Sequence, residues 1–254
     1  MNTGRWKLKQ NKLLNSRNTL HALVSTLSLF SGVTMANMSV YPMELNMDSS
    51  GTAQIKVASK SDDIQFIRVT QKKILNPGTP LEKEVDVASW KEGGMVATPA
   101  KFALAAGSMR VVRLVSLTPP PVESTWRVYF EGVKQPDNIL LEDKNRPAAT
   151  AKLGVNVIWG ALVHLAPQHP VVSLKINSLE GKIINDGTLR VPLKEIAVCH
   201  SGEQCRWFKE DATIYPDTSR KLKTLTSMKG DKYKFRYFNW LTKTSEEADL
   251  PVVN

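Results

Sequence analysis

Only two cysteines occur in the 254 residues, Cys199 and Cys205, and both fall in the run CHSGEQC. The intervening residues, with Ser, Gly and Glu among them, form a loop that a disulfide could close once the chain reaches an oxidising compartment. Zinc would need more ligands than the adjacent His200, because His164 and His169 stand far off in the sequence. Nothing else approaches a reactive constellation. There is no Gly-rich phosphate loop, no HExxH and no Gly-x-Ser-x-Gly elbow. His164 reads as a structural or hinge residue rather than a general base. The acidic pairs Glu123/Glu131 and Asp62/Asp63 read as surface charge. The expectation is a protein that is not an enzyme, with no metal and no cofactor.

The elements that must position these residues begin after a leader. Arg5, Lys7, Lys9, Lys12 and Arg17 make a basic start with no acidic residue, followed by the modest apolar run LHALVSTLSLF. Thr34-Met35-Ala36 supplies small residues at cleavage-site spacing, so residues 1–36 read as a signal peptide and Asn37 as the mature start. The run is too short and too polar for a membrane span, and no later stretch approaches 18 apolar residues, so stable membrane insertion is not expected. Five of the ten net positive charges sit in the leader, which leaves the mature chain only mildly basic. Its Lys and Arg residues are dispersed rather than arrayed along one face, which argues against a nucleic-acid partner.

The stretch around which the chain is organised is KLGVNVIWGALVHLAP, residues 152–167. Leu153, Val155, Val157, Trp159, Ala161, Val163 and Leu165 recur with period two, which places them on one side of a strand. Such a strand, at about 16 residues, is at least twice the usual length. Periodicity alone allows two readings: a long core strand, or an exposed edge whose apolar residues are meant for another chain.

Before that stretch the chain reads as short strands and turns. The segments are MSVYPMELN (38–46, interrupted by Pro42), QIKVA (54–58), IQFIRVTQKKI (64–74) and WRVYFEGV (126–133). Residues 98–116 carry a turn at Ala105-Ala106-Gly107-Ser108 and fit either a hairpin or a crossover between sheets. Residues 79–94 read as a charged extended loop, and 134–150 as a long mobile one. Seven strands in about 130 residues argue for an immunoglobulin-like sandwich. Pro167 and Pro170 then bracket a linker. Beyond it, strands at 171–176, 191–198, 212–215, 221–225 and 232–240 make a second, smaller all-β unit, with a turn at Asn185-Asp186-Gly187. The expected organisation is therefore leader 1–36, first domain 37–168 and second domain 169–254.

In order and spacing, SVYPMELN, IQFIRVTQKKILNPGT, EVDVASW, GGMVATPAKFALAAGSMRVVRLV, WRVYFEGVK and LGVNVIWGALVHLAP resemble the periplasmic pilus-assembly chaperones, in the alternate branch that serves colonisation-factor and class-5-type fimbriae. The resemblance implies an all-β chain of two immunoglobulin-like β-sandwich domains arranged as an L, working in the Gram-negative periplasm. It implies donor-strand complementation, in which an incomplete pilin fold receives a strand from the chaperone. On the residues that match, the donor positions are Leu153, Val155 and Val157, with Pro167 ending the strand. The implied partners are a fimbrial tip subunit, the major pilin and the outer-membrane usher, with self-association of the free form in addition. The conventional branch holds the C-terminal carboxylate of its client with an Arg on the first strand and a Lys on the donor strand. Those positions align here with Met38 and Leu162, so the candidate anchors become Arg68 and Arg127, with His164, mostly neutral at pH 7, as a third. The rival reading is a two-domain fimbrial structural subunit or adhesin. It would need an N-terminal donor extension, for which the strand at 38–46 leaves no room.

Overall fold

Alternating apolar residues in the first half are satisfied by two sheets packed face to face. A computed structural model describes residues 37–48, 50–87, 94–133, 157–177, 179–200, 204–222 and 232–253. No helix occurs among them. One sheet orders β1 (Met38–Tyr41), β3 (Thr52–Ser59), β8 (Met109–Ser116) and β6 (Met95–Thr98) side by side. The facing sheet runs β2 (Glu44–Met47), β10 (Ile158–Leu165), β9 (Ser124–Val133), β4 (Gln65–Leu75) and β5 (Lys83–Val85), with β7 (Lys101–Leu104) also against β4. Ile55, Val57, Val112 and Leu114 from the first sheet meet Ile67, Val69, Trp126, Val128, Phe130, Ala161, Val163 and Leu165 from the second. Fully burying each such aliphatic side chain is worth about 1.5–3 kcal/mol, which is what fixes the strand register.

Two segments expected as single units divide between the sheets. The strand at 38–46 breaks at Pro42, which has no N–H for a ladder. Its first half pairs with β3, and its second half runs parallel to β10. Likewise β7 pairs with β4 while β8 pairs with β3 and β6, so residues 98–116 form the crossover and not the hairpin. The break at Pro42 lets a short edge segment serve both layers of the sandwich.

The second half repeats the two-layer solution. One sheet contains β15 (Ser219–Lys221), β12 (Lys182–Asn185), β11 (Leu174–Asn177) and β18 (Val252–Val253). The other contains β14 (Arg206–Ile214), β13 (Val191–Cys199), β16 (Lys232–Asn239) and β17 (Thr244–Asp249). Ile176, Ile183, Val191, Leu193, Ile196, Ile214 and Phe235 fill the space between them. Residues 36–254 form one compact unit that holds both sandwiches.

Cys199 and Cys205 are joined, with Cα atoms 4.2 Å apart, and clamp the end of β13 to the start of β14. Closing so short a loop restricts the unfolded chain by about 2 kcal/mol. The double variant Cys199→Ser/Cys205→Ser should therefore lose about that much in urea denaturation while keeping a β-type circular dichroism spectrum. A collapse of the spectrum would show that the bridge is needed to form the sandwich, not only to stabilise it.

Candidate functional site

The hydrogen-bonding edges of β10 are filled unequally. Along its whole length β10 pairs antiparallel with β9, from Ile158 opposite Glu131 to Leu165 opposite Ser124. On the other edge β2 pairs only with Leu162–Leu165, and the Leu162 N–H donates to the Met43 carbonyl at 2.8 Å. Among the described residues, the edge at 158–161 therefore has no strand beside it. Ala161, Val163 and Leu165 are fully buried and Trp159 packs half-buried against them. Two residues further back Val157 is 40% exposed, and Ile158 on the opposite face is 53% exposed. Trp159–Leu165 therefore lies in the body of the domain. Leu153 and Val155 lie outside the described residues.

The outer face of this sheet is read row by row across the strands. Lys72, Arg127, Leu162 and Glu44 lie side by side; Thr70, Tyr129 and Gly160 form the next row, and Arg68, Glu131 and Ile158 the one after. Arg68 pairs with Glu131 directly across the strands at 2.8 Å, both partly exposed, an arrangement worth at most about 1 kcal/mol. Arg127 does something else. Its Nη1 donates to Glu84 Oε1 at 2.7 Å, Nη2 lies 3.8 Å from Glu82, and the Tyr129 hydroxyl sits 2.7 Å from both Glu84 oxygens. Partial burial and the carboxylate it faces raise the Tyr129 hydroxyl pKa. A Cβ on Gly160 would stand 3.1 Å from both Arg127 Cδ and Tyr129 Cε1, so the missing side chain is what lets both residues lean over β10.

The residue beside Leu162 on the β2 side is Glu44, whereas Met38 is buried in the opposite sheet.

Below this face the two sandwiches meet at a buried polar junction. Glu123, expected at the surface, has a fully buried side chain. It accepts from Arg190 twice, from the guanidinium and from the backbone N–H at 2.8 Å. The Glu123 N–H donates to the Thr188 carbonyl at 2.9 Å, and Arg190 also reaches Asn46 and lies 4.9 Å over the Trp240 ring. Asn185, in the expected turn, donates to the carbonyls of Leu189 and Ile214, which pins the segment that carries Arg190. Sequence missed Glu123 because one acidic residue carries no mark of its partner 67 positions away. Among the described residues, no group of three His, Cys, Asp or Glu side chains is placed to hold a metal ion.

His164 is the third member of the junction and is fully buried. Its Nδ1 is 3.3 Å from Thr125 Oγ1 and 3.5 Å from Glu123, and Nε2 is 3.4 Å from Glu44 without the alignment of a hydrogen bond. The Tyr215 ring lies 6.1 Å away. Burial lowers the His164 pKa from its ordinary 6.5, against the pull of Glu44 and Glu123 and with the help of Arg190. The nearby His164 ring lowers that of Glu44. Neutral His164 therefore contributes stability above pH 6.5 that is lost as pH falls from 6.5 towards its lowered value, because the unfolded state takes up the proton first. Urea denaturation between pH 7.5 and 5.5 should show stability falling by no more than about 1.4 kcal/mol per pH unit for this one proton, and His164→Gln should flatten the slope. An unchanged slope in that variant would assign the pH dependence to other groups.

No protein-family model matches the chain. Two Escherichia coli proteins align with it over 208 residues: a fimbrial subunit of CFA/I, 36% identical, and a fimbrial subunit of CS1, 35% identical. Each alignment covers 79% of this chain and 86% of the relative. Among solved structures, the class 5 fimbriae chaperone CfaA is 30% identical and superposes with a TM-score of 0.69, covering 84% of this chain and 99% of its own. A chain from a chaperone–tip adhesin complex of CFA/I fimbriae biogenesis is also 30% identical, with a TM-score of 0.66, and covers 85% and 99%.

Proposed function

The chain belongs to the class 5 fimbrial chaperones, and we propose that it holds fimbrial subunits in the periplasm by lending them a strand from the open edge of β10. As a family member it is a chaperone of subunit folding and delivery and not an enzyme. The observation that carries the donor-strand reading is the unpaired edge at Ile158–Ala161, continued by the exposed Val157 in phase with the buried row. A bare apolar edge invites another chain, and monomeric proteins normally cover it. The subunit's backbone would complete the ladder, while Leu153, Val155 and Val157 would fill the groove left by its missing strand. Its partners in this reading are the major pilin and a tip subunit, with transfer to the outer-membrane usher.

The same register argues for where the subunit's strand ends. A strand lying along the open edge must stop at Leu162, where β2 takes the position over. A terminal carboxylate there falls in the row of Lys72, Arg127, Leu162 and Glu44, of which Arg127 leans over β10. Arg127 is therefore the better anchor. Arg68 sits two rows further along and is committed to Glu131, and His164 is enclosed in the junction.

Co-expression with the client pilin tests both parts. The wild type should purify as a soluble one-to-one complex, and Val155→Asp and Val157→Asp should lose it while remaining folded, since each would bury a carboxylate in an apolar groove. Full recovery of the complex in both would refute the donor-strand reading. Arg127→Ala should weaken binding by about 1.5–3 kcal/mol, as expected for hydrogen bonds to a charged group. Arg68→Ala should cost less than about 1 kcal/mol. The reverse order would move the anchor to Arg68.

A further inference from the structure

The pairing of Arg127 with Glu84 is not a consequence of sheet register. Opposite Arg127 stands Lys72, and opposite Glu84 stands Ile74, so the Glu84 carboxylate must reach across β4 to meet Arg127 on β9. There it takes the guanidinium on one oxygen and lies within hydrogen-bond distance of the Tyr129 hydroxyl on both. Two donors from one strand thus converge on a single carboxylate, which is how a receptor for a carboxylate is built. The Arg127 stem and the Tyr129 ring edge also lie against Gly160 of β10, whose far edge has no strand beside it among the described residues. Arg68 lacks every one of these features: its partner Glu131 is its direct cross-strand neighbour.

The residue that fills the receptor comes from a weakly held element. β5 is three residues long and, among the described residues, pairs with β4 alone. A second acid, Glu82, approaches the other guanidinium nitrogen from the segment that leads into β5.

From this geometry we propose that Arg127 and Tyr129 together form a receptor for a peptide α-carboxylate, and that Glu84 is its resident occupant until a subunit's C-terminus displaces it. The inference rests on Arg127 being the anchor and adds Tyr129 as its second donor and Glu84 as its competitor. The physical consequence is a reduced apparent affinity. A ligand that must displace an internal occupant binds as if only the vacated fraction of the protein were present. The exchange is non-covalent and needs no proton transfer, since one carboxylate replaces another on the same donors.

The test uses the full mature chain and a synthetic peptide of the client pilin's C-terminal strand, prepared as the free acid and as the C-terminal amide. Titration calorimetry gives the affinity of each form, and thermal melts verify that each variant is folded. The wild type should prefer the acid by about tenfold, and Arg127→Ala should abolish the preference. Tyr129→Phe should reduce it. Glu84→Gln and Glu84→Ala should each tighten acid binding about fivefold or more while leaving amide binding unchanged. If Arg127→Ala keeps the wild-type preference, the anchor assignment falls and the inference falls with it. If Arg127→Ala abolishes the preference but neither Glu84 variant tightens acid binding, the anchor stands and the resident occupant is refuted. Equal tightening for acid and amide would refute it too, by showing that Glu84 only obstructs the edge. An unchanged preference in Tyr129→Phe would remove the hydroxyl from the receptor.

Discussion

Every backbone N–H and C=O taken out of water must find a partner, and β10 meets that requirement on both edges for only part of its length. From Leu162 onward, β9 and β2 flank it; before Leu162, β9 alone does among the described residues. The side chains follow the same boundary. Ala161, Val163 and Leu165 close the core of the first sandwich, and Val157 carries the same row outward into solvent. In the proposed function one strand would belong to two folds, its own and its client's, and the place where β2 begins would be the place where one gives way to the other. That placement depends on Pro42, which ends β1 in one sheet and lets β2 start afresh beside β10 in the other.

The junction beneath the site is constrained by charge. A buried ion pair adds little net stability over an apolar pair of the same shape, but leaving one member unpaired costs about 3–5 kcal/mol. Glu123 from the first sandwich and Arg190 from the second are therefore held to one relative arrangement, with Asn46, Trp240 and His164 completing their surroundings. Asn46 lies on β2 and His164 on β10, so the pair that joins the sandwiches also fixes the two strands between which the open edge ends. The linker repeats this at the backbone level. The Ala166 N–H donates to Met47 and the Gln168 N–H donates to Pro120.

Strands whose alternation served a core were legible in the sequence, and those held by other forces were not. IQFIRVTQKKI and WRVYFEGV fall on β4 and β9 because Ile67, Val69, Val128 and Phe130 must face inward. β17, with the sequence TSEEAD, has no apolar alternation. It is held by its ladder to β16, by Glu246 accepting from Tyr237, and by Glu247 accepting from Lys234 and Arg236. The start of β14 was missed for a related reason, since Arg206–Asp211 is mostly charged and exposed, its Trp207 covered by the Arg236 guanidinium at 3.7 Å. β5 was read as loop because three residues carry no period. The site divides the same way. Val157 and Arg127 could be named from a resemblance in order and spacing, whereas Glu84, Tyr129, Gly160 and Glu123 acquire meaning only from neighbours that the fold brings in.

The acids around the open edge give the face a direction. Glu44 stands beside Leu162 on the β2 side, and its interaction with buried His164 keeps it ionised below the usual carboxylate range. In the proposed function, a client's terminal carboxylate arriving at the end of the edge would meet a like charge on that side and the Arg127 guanidinium on the other. Repulsion and attraction therefore point the same way, towards β9, although the cation found there is already engaged by Glu84. A chaperone must release what it holds, so an anchor of full strength would work against it. As the proposed anchor, an arginine shared with an internal acid on a three-residue edge strand would supply orientation while leaving most of the affinity to the donor strand itself.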